Sequence, residues 1–177
     1  SPPPVQIVAY ERATDTQPKV LYESRTPFHS PQLIAAPDRE DLYVMESGEG
    51  AQITRIDASG QIAWQKTTEW IEPSSFVATD DGVAFAQFGS LPKSLMVLRA
   101  LDREGRQRWE APLQARVGGQ SIYSAAGFVA VPVYSNSDQE RTRQHLMSFD
   151  VRTGQLTADA FVDRFIYSAG TQDGLLI

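Results

Sequence analysis

The sequence predicts an all-β protein built as a β-propeller of four-stranded antiparallel blades. Three observations carry this. A ten-residue phrase recurs at residues 55–64, 100–109 and 149–158, which sets Asp57, Asp102 and Asp150 45 and then 48 residues apart. Each aspartate has a glycine close behind it (Gly60, Gly105, Gly154), and the first two glycines have a tryptophan four residues on (Trp64, Trp109). Self-similarity at about 40–50 residues is the period of a propeller blade. Short β-rich runs broken by turn residues fill the chain, and no segment holds a helical apolar period. Lastly, each repeat offers four strand candidates, the number in a blade.

Taken in order, the first repeat (about 32–66) predicts strands at Gln32–Ala35, Leu42–Met45, Gln52–Asp57 and Ile62–Lys66. Ala58-Ser59-Gly60 is the tight turn between the last two, its glycine supplying the positive φ that hairpins often need. The second repeat (about 75–112) runs Ser75–Thr79, Gly82–Gln87, Leu95–Asp102 and Gln107–Ala111, with Asp80-Asp81-Gly82 as a hairpin signal. The third (about 121–161) runs Ser121–Ala125, Phe128–Tyr134, His145–Asp150 and Gln155–Phe161. Val5–Tyr10 and Lys19–Tyr22 read as the last two strands of a blade, and Phe165–Ala169 and Gly174–Ile177 as the first two. Residues 5–22 and 165–177 then make one split blade, and the propeller domain covers 5–177 behind a Pro-rich linker at 1–4. Two arrangements fit: about four blades closed by a blade shared between the termini, or half of a larger ring completed by a second copy or another segment.

Composition narrows the partners. A net charge of −6 repels nucleic acid and anionic membranes, and no basic cluster with interleaved aromatics offsets it. No run approaches the roughly 18–20 apolar residues of a membrane-spanning helix. With no cysteine there is no disulfide or thiolate chemistry.

The repeat Asp57-Ala58-Ser59-Gly60-Gln61-Ile62-Ala63-Trp64 resembles that of the pyrroloquinoline-quinone-type (PQQ-like) propellers. These form the quinoprotein dehydrogenase-like superfamily, which includes the BamB-like outer-membrane assembly lipoproteins. Asp102-Arg103-Glu104-Gly105-Arg106-Gln107-Arg108-Trp109 carries the same match. Asp150-Val151-Arg152-Thr153-Gly154 carries its first half, with Ala158 in place of the tryptophan. The resemblance implies that Asp57, Gly60, Trp64, Asp102, Gly105, Trp109, Asp150 and Gly154 are structural, the tryptophans packing between blades. The dehydrogenases of the superfamily stack their cofactor on a vicinal disulfide and bind calcium through Glu, Asn and Asp. This chain has no cysteine and one asparagine, Asn136, so the resemblance implies the non-enzymatic type, without cofactor or metal and in a periplasmic or extracellular setting.

Residues that could carry chemistry are few. His29, in a Pro-rich connector, and His145, after a charged loop, have no nucleophile context. The acidic clusters Asp38, Glu40, Asp41 and Asp80-Asp81 match no calcium loop and read as solvated turns. Gly118-Gly119 reads as a bend. The segments 88–94 and 135–144 exceed what a blade needs and come at the same step of the repeat, so they project from one face. The connection Thr68–Pro73 is expected at the opposite end or near the axis, with Trp70 and Ile71 an apolar pair among acids. The expected function is therefore a binding module without enzymatic activity whose partner is another protein. Its contacts are Trp70, Ile71 and Glu72, with Leu91, Lys93, Asp138 and Arg141 on the loops. The alternative is a ligand- or sugar-binding funnel lined by Tyr123, Tyr134 and Tyr167, and a third reading is a piece of an enzyme ring.

Overall fold

The computed structural model describes residues 6–9, 19–24, 29–36, 41–48, 50–88, 96–113, 116–117, 122–125, 127–134, 144–162, 171–172 and 175–176. Every regular element among them is a strand, and the strands form propeller blades. Strands β1 (Gln6–Ala9) and β2 (Lys19–Glu23) pair antiparallel as a hairpin. The first full blade follows as a meander of β3 (His29–Ala35), β4 (Leu42–Ser47), β5 (Ala51–Ile56) and β6 (Ile62–Thr68). The second repeats it with β7 (Ile71–Thr79), β8 (Gly82–Phe88), β9 (Met96–Asp102) and β10 (Gln107–Leu113). In the third, the first strand comes in two pieces, β11 (Arg116–Val117) and β12 (Tyr123–Ala125). Both pair with β13 (Phe128–Tyr134), which continues to β14 (Gln144–Asp150) and β15 (Leu156–Val162). Pro132, which brings no N–H to a ladder, stands opposite the break between β11 and β12.

Strands β16 (Thr171–Gln172) and β17 (Leu175–Leu176) form a two-stranded sheet of their own, as do β1 and β2. Among the described residues no pairing joins these two sheets to each other.

Burial follows strand position. β4 and β8 lie between neighbouring blades and are covered on both faces. Their sequences are accordingly near-continuous apolar runs, Leu42-Tyr43-Val44-Met45 and Val83-Ala84-Phe85-Ala86. The outermost strands β6 and β10 alternate instead, with one face toward the next blade and one in solvent. Between the first and second blades Tyr43, Met45 and Ile53 pack on Ile71, Phe76, Phe85 and Leu101. Between the second and third, Ala86, Leu98 and Trp109 pack on Val129, Val131, Val133 and Phe149. The interface of the hairpin with the first blade is thinner, holding Tyr22, Val44 and Ile56.

The recurring phrase builds the joint between blades. Each aspartate folds its own turn: Asp57 Oδ1 accepts from Ser59 N at 2.9 Å and Gln61 N at 3.1 Å. Asp102 and Asp150 do the same for Glu104 and Arg106, and for Arg152 and Thr153. The glycine of the turn then presents a bare backbone to the tryptophan of the preceding blade. Trp64 lies over Gly105 and donates its Nε1–H to Arg103 O at 2.7 Å. Trp109 lies over Gly154 and donates to Val151 O at 2.8 Å. Ahead of the first blade the same place over Gly60 is taken by Leu21 and Lys19, whose ammonium donates to Ser59 O at 3.0 Å. Ala158, opposite Ser148, occupies the tryptophan position of the third blade.

Trp109→Ala should lower stability by about 3–5 kcal/mol, the usual cost of deleting a buried large aromatic, and chemical denaturation would measure it. Two glycine variants separate strain from collision. Gly127 has φ 87° and open space around its Cβ position, so Gly127→Ala should cost only the left-handed backbone term, about 1–2 kcal/mol. At Gly154, φ 70°, a Cβ would stand 2.6 Å from Trp109 Cδ2, and Gly154→Ala should cost distinctly more. Equal losses would mean that the indole moves aside freely.

Candidate functional site

In an antiparallel meander of four strands, the link from the second strand to the third and the exit of the fourth leave from the same end. The register shows this directly: Ser47 pairs with Ala51, which pairs with Thr68. A Cβ on Gly50 would lie 2.9 Å from Thr68 O. The next blade repeats it, with Phe88, Met96 and Leu113 in one row, and the third aligns Tyr134, Gln144 and Val162. The strand ends flanking segments 89–95 and 135–143 and the Glu69-Trp70 connection therefore belong to one rim. Of the two places expected for the connection at Thr68–Pro73, the opposite end or near the axis, this corrects the first. That opposite end carries the aspartate–glycine turns.

Trp70 is half-buried on this rim, next to the exposed Glu69. Ile71 is a correction: it is wholly buried as the first residue of β7, opposite Gln87, and packs in the core between the first two blades. Its side chain is thus spent on folding and cannot meet a partner. Glu72 lies within β7, its side chain outside the described residues. Leu91, Lys93, Asp138 and Arg141 also lie outside them. Of the tyrosines expected in a sugar-binding funnel, Tyr123 is buried, only the backbone of Tyr134 is described, and Tyr167 lies outside.

His29 begins β3 opposite Ser47, rather than lying in a connector. His145 Nδ1 sits 3.0 Å from Asp159 Oδ1, with its ring centroid 3.9 Å from that of Phe161. Among the described residues no three His, Asp or Glu side chains gather as a metal site.

Behind the rim lies a polar layer that the sequence reading missed. Glu46 and Gln87 hold the same repeat position, each four residues beyond the strand residue that pairs with the one before the turn aspartate. Both are almost fully buried. Thr68 of the first blade donates to Gln87 Oε1 at 3.1 Å. Tyr22 of β2 donates to Glu46 Oε2 and accepts from Gln52 Nε2 at 3.2 Å. Burial, followed by the bond to Glu46, pushes the Tyr22 phenol up to about 12. The signal was present as a polar residue ending two otherwise apolar runs at matching steps, Met45-Glu46 and Ala86-Gln87. In the third blade Val133 takes the place.

Asp41 is a second correction. Instead of a solvated turn it is a buried carboxylate held by two arginines. Arg55 Nη2 lies 3.1 Å from Oδ1, and Arg103 Nε lies 2.7 Å from Oδ2. Arg103 belongs to the turn of the second blade, so the cluster ties two blades at the end away from the rim. Burial alone would raise the Asp41 carboxyl, but the hydrogen bonds and charges of Arg55 and Arg103 outweigh it and hold it below 3.8. Asp38 and Glu40 lie outside the described residues. Asp81 pairs at the surface with Arg108, at 3.1 Å.

No family model and no curated protein matches the chain. Among solved structures it is similar to three variants of the apocarotenoid oxygenase of Synechocystis, at 14%, 13% and 13% identity and TM-scores of 0.46, 0.47 and 0.44. Each alignment covers 74% of this chain and 38% of the other, so the chain spans well under half the length of that enzyme. The expectation that the chain is not an enzyme is withdrawn on this finding, since the structures it is similar to are those of an oxygenase. The likeness assigns no reaction, substrate or catalytic residue to this chain.

The turn aspartates and Asp41 set an acid limit. The Asp57 carboxyl is lowered by its bonds from Ser59 and Gln61, and that of Asp150 by its bonds from Thr153. At Asp102 burial raises the carboxyl, but the bonds from Arg106 overcome it and the net direction is down. A carboxyl lowered in the fold contributes stability above its unfolded value, which is lost as pH falls through the folded one. The melting temperature should hold above about pH 5 and drop once pH falls below about 4. Asp41→Asn should cost about 3 kcal/mol at neutral pH, the low end for a broken buried ion pair because Arg103 still reaches water. That variant should also show a shallower acid limb in thermal melts from about pH 2 to 6.

Proposed function

We propose that the chain is a PQQ-like propeller module of the cell envelope, periplasmic or extracellular, that binds another protein through its Trp70 rim. The observation that carries the reading is the convergence on one end of Trp70, the Gly48–Gly50 turn and the strand ends flanking the two long segments. A half-buried tryptophan on a rigid scaffold, beside acidic Glu69, has the composition of an interface anchor with a polar rim. The blades behind it are held by the tryptophan–glycine joints, so the rim is positioned before a partner arrives and little ordering cost falls on binding. The acidic balance of the chain favours a partner with a basic face. The PQQ-like repeat supports the envelope setting by resemblance alone.

A photo-crosslinker placed at residue 70 should capture one defined protein from an envelope extract, and the same group at Glu104, on the opposite end, should not. Trp70→Ala should weaken binding of that purified partner by about tenfold or more. Its melting temperature should stay within about 3 °C of the parent. Loss of binding only in step with loss of folding would assign Trp70 to the core and remove the proposed interface.

A further inference from the structure

The three joints seen among the described residues are not equivalent. Between the full blades a tryptophan fills the space over the next turn, at Trp64 and at Trp109. At the joint of the hairpin with the first blade Leu21 and Lys19 stand there instead, and a cavity of about 470 Å³ remains. It is lined by Val20, Leu21, Tyr22 and Glu23 of β2 and by Gln52, Ile62 and Gln65 of the first blade. This volume lies within the range of about 300–1,000 Å³ typical of small-molecule sites. Val20 and Ile62 are about half exposed, at 48% and 49%, so the aliphatic wall is open to solvent.

The polar groups of this cavity are left with acceptors to offer. Gln52 and Gln65 each use the amide nitrogen within the protein, on Tyr22 Oη and Thr54 Oγ1, both at 3.2 Å, which leaves their carbonyl oxygens. The Tyr22 hydrogen is given to Glu46. Glu23 takes one hydrogen bond, from Gln6 at 2.9 Å. Glu46, 1% exposed and one hydrogen bond behind the lining, has an oxygen, Oε1, with no partner among the described residues. No lysine, arginine or histidine lines the space among those residues, and the ammonium of Lys19 is turned to Ser59 O. An aliphatic wall, two amide carbonyls and the Glu23 carboxyl, with the buried Glu46 one hydrogen bond behind, suit a ligand with a hydrocarbon stem and a cationic N–H head.

We infer that the cavity between the first hairpin and the first full blade binds an alkylammonium group, from a free amine or from a lysine side chain of a polypeptide. The stem packs on Val20, Leu21 and Ile62, and the head is received by the amide oxygens of Gln52 and Gln65 and the carboxyl of Glu23, with the carboxyl of Glu46 behind them. The site is separate from the Trp70 rim, and its test does not depend on the rim reading.

The test is titration of the isotope-labelled chain with n-butylammonium and with N-acetyl-lysine amide. Butanol and N-acetyl-norleucine amide serve as uncharged counterparts. Saturable shifts of the Tyr22 ring and of the Gln52 and Gln65 side-chain amides are expected, with the uncharged counterparts at least about tenfold weaker, a difference of about 1.4 kcal/mol. Glu46→Gln should weaken the ammonium by a similar factor. Because that variant touches a buried group, Ile62→Trp provides the second arm: it fills the space from its half-exposed side and should abolish binding while the circular dichroism stays that of the parent. Tighter binding of the lysine amide than of butylammonium would identify a polypeptide source, and equal binding a free amine; both support the site. Equal response to charged and uncharged probes, binding that survives Ile62→Trp, or no shift at about 20 mM, beyond the range of a millimolar site, would overturn it.

Discussion

The structure depends on an indole resting on a glycine. A blade is a twisted four-stranded sheet with a hydrophobic face on each side, and it is stable only when both faces are covered. What fixes the distance and rotation between two such sheets is the contact of Trp64 with Gly105 and of Trp109 with Gly154. A side chain at either glycine would push the ring out, and without the aspartate's hydrogen bonds the turn would not hold its carbonyl toward the indole N–H. Three residues of the phrase therefore act as one part: aspartate shapes the turn, glycine opens it and tryptophan of the blade before closes on it. Dispersion over the ring face supplies most of the attraction, and the single N–H to carbonyl bond supplies direction.

This explains why the architecture was legible in the sequence. Each repeat carries the aspartate and glycine of one joint and, in the first two, the tryptophan of the next within eight consecutive residues, the period gives the blade, and the doubly covered strands show as unbroken apolar runs. What was not legible depends on partners distant in the chain. Asp41 reads as one more acid in a turn until Arg103, 62 residues later, folds against it. Ile71 reads as an exposed anchor because it sits beside Trp70 among acids. Its burial is decided by pairing with Gln87 and by packing on the first blade, which no local pattern records. The misplacement of the Thr68–Pro73 connection is different in kind. Strand parity alone puts it on the rim of the long segments, since an even number of antiparallel strands returns the chain to the end from which it left.

The polar layer at Glu46 and Gln87 shows how repeats diversify without losing their frame. The position is the same in each blade and the backbone ladder around it is the same. The side chain changes from carboxyl to amide to the valine of Val133, and all three are buried. Such a position can be retuned while the joint at the other end of the blade keeps the sheets in register.

The difference between the joints has a mechanical consequence. In a stacked array each sheet is stabilised chiefly by its neighbours, so the energy of opening is set joint by joint. Among the described residues two joints are tryptophan-filled, and one is thinner and without an indole. The array is thus a stiff three-leaf block with a soft first leaf. Thermal fluctuation should part the β1–β2 hairpin from the first blade long before any two full blades separate. Amide protons in β1 and β2 would then exchange through this local opening, since a lone hairpin is marginal in water, while those in β8 and β13 wait for the whole block to unfold.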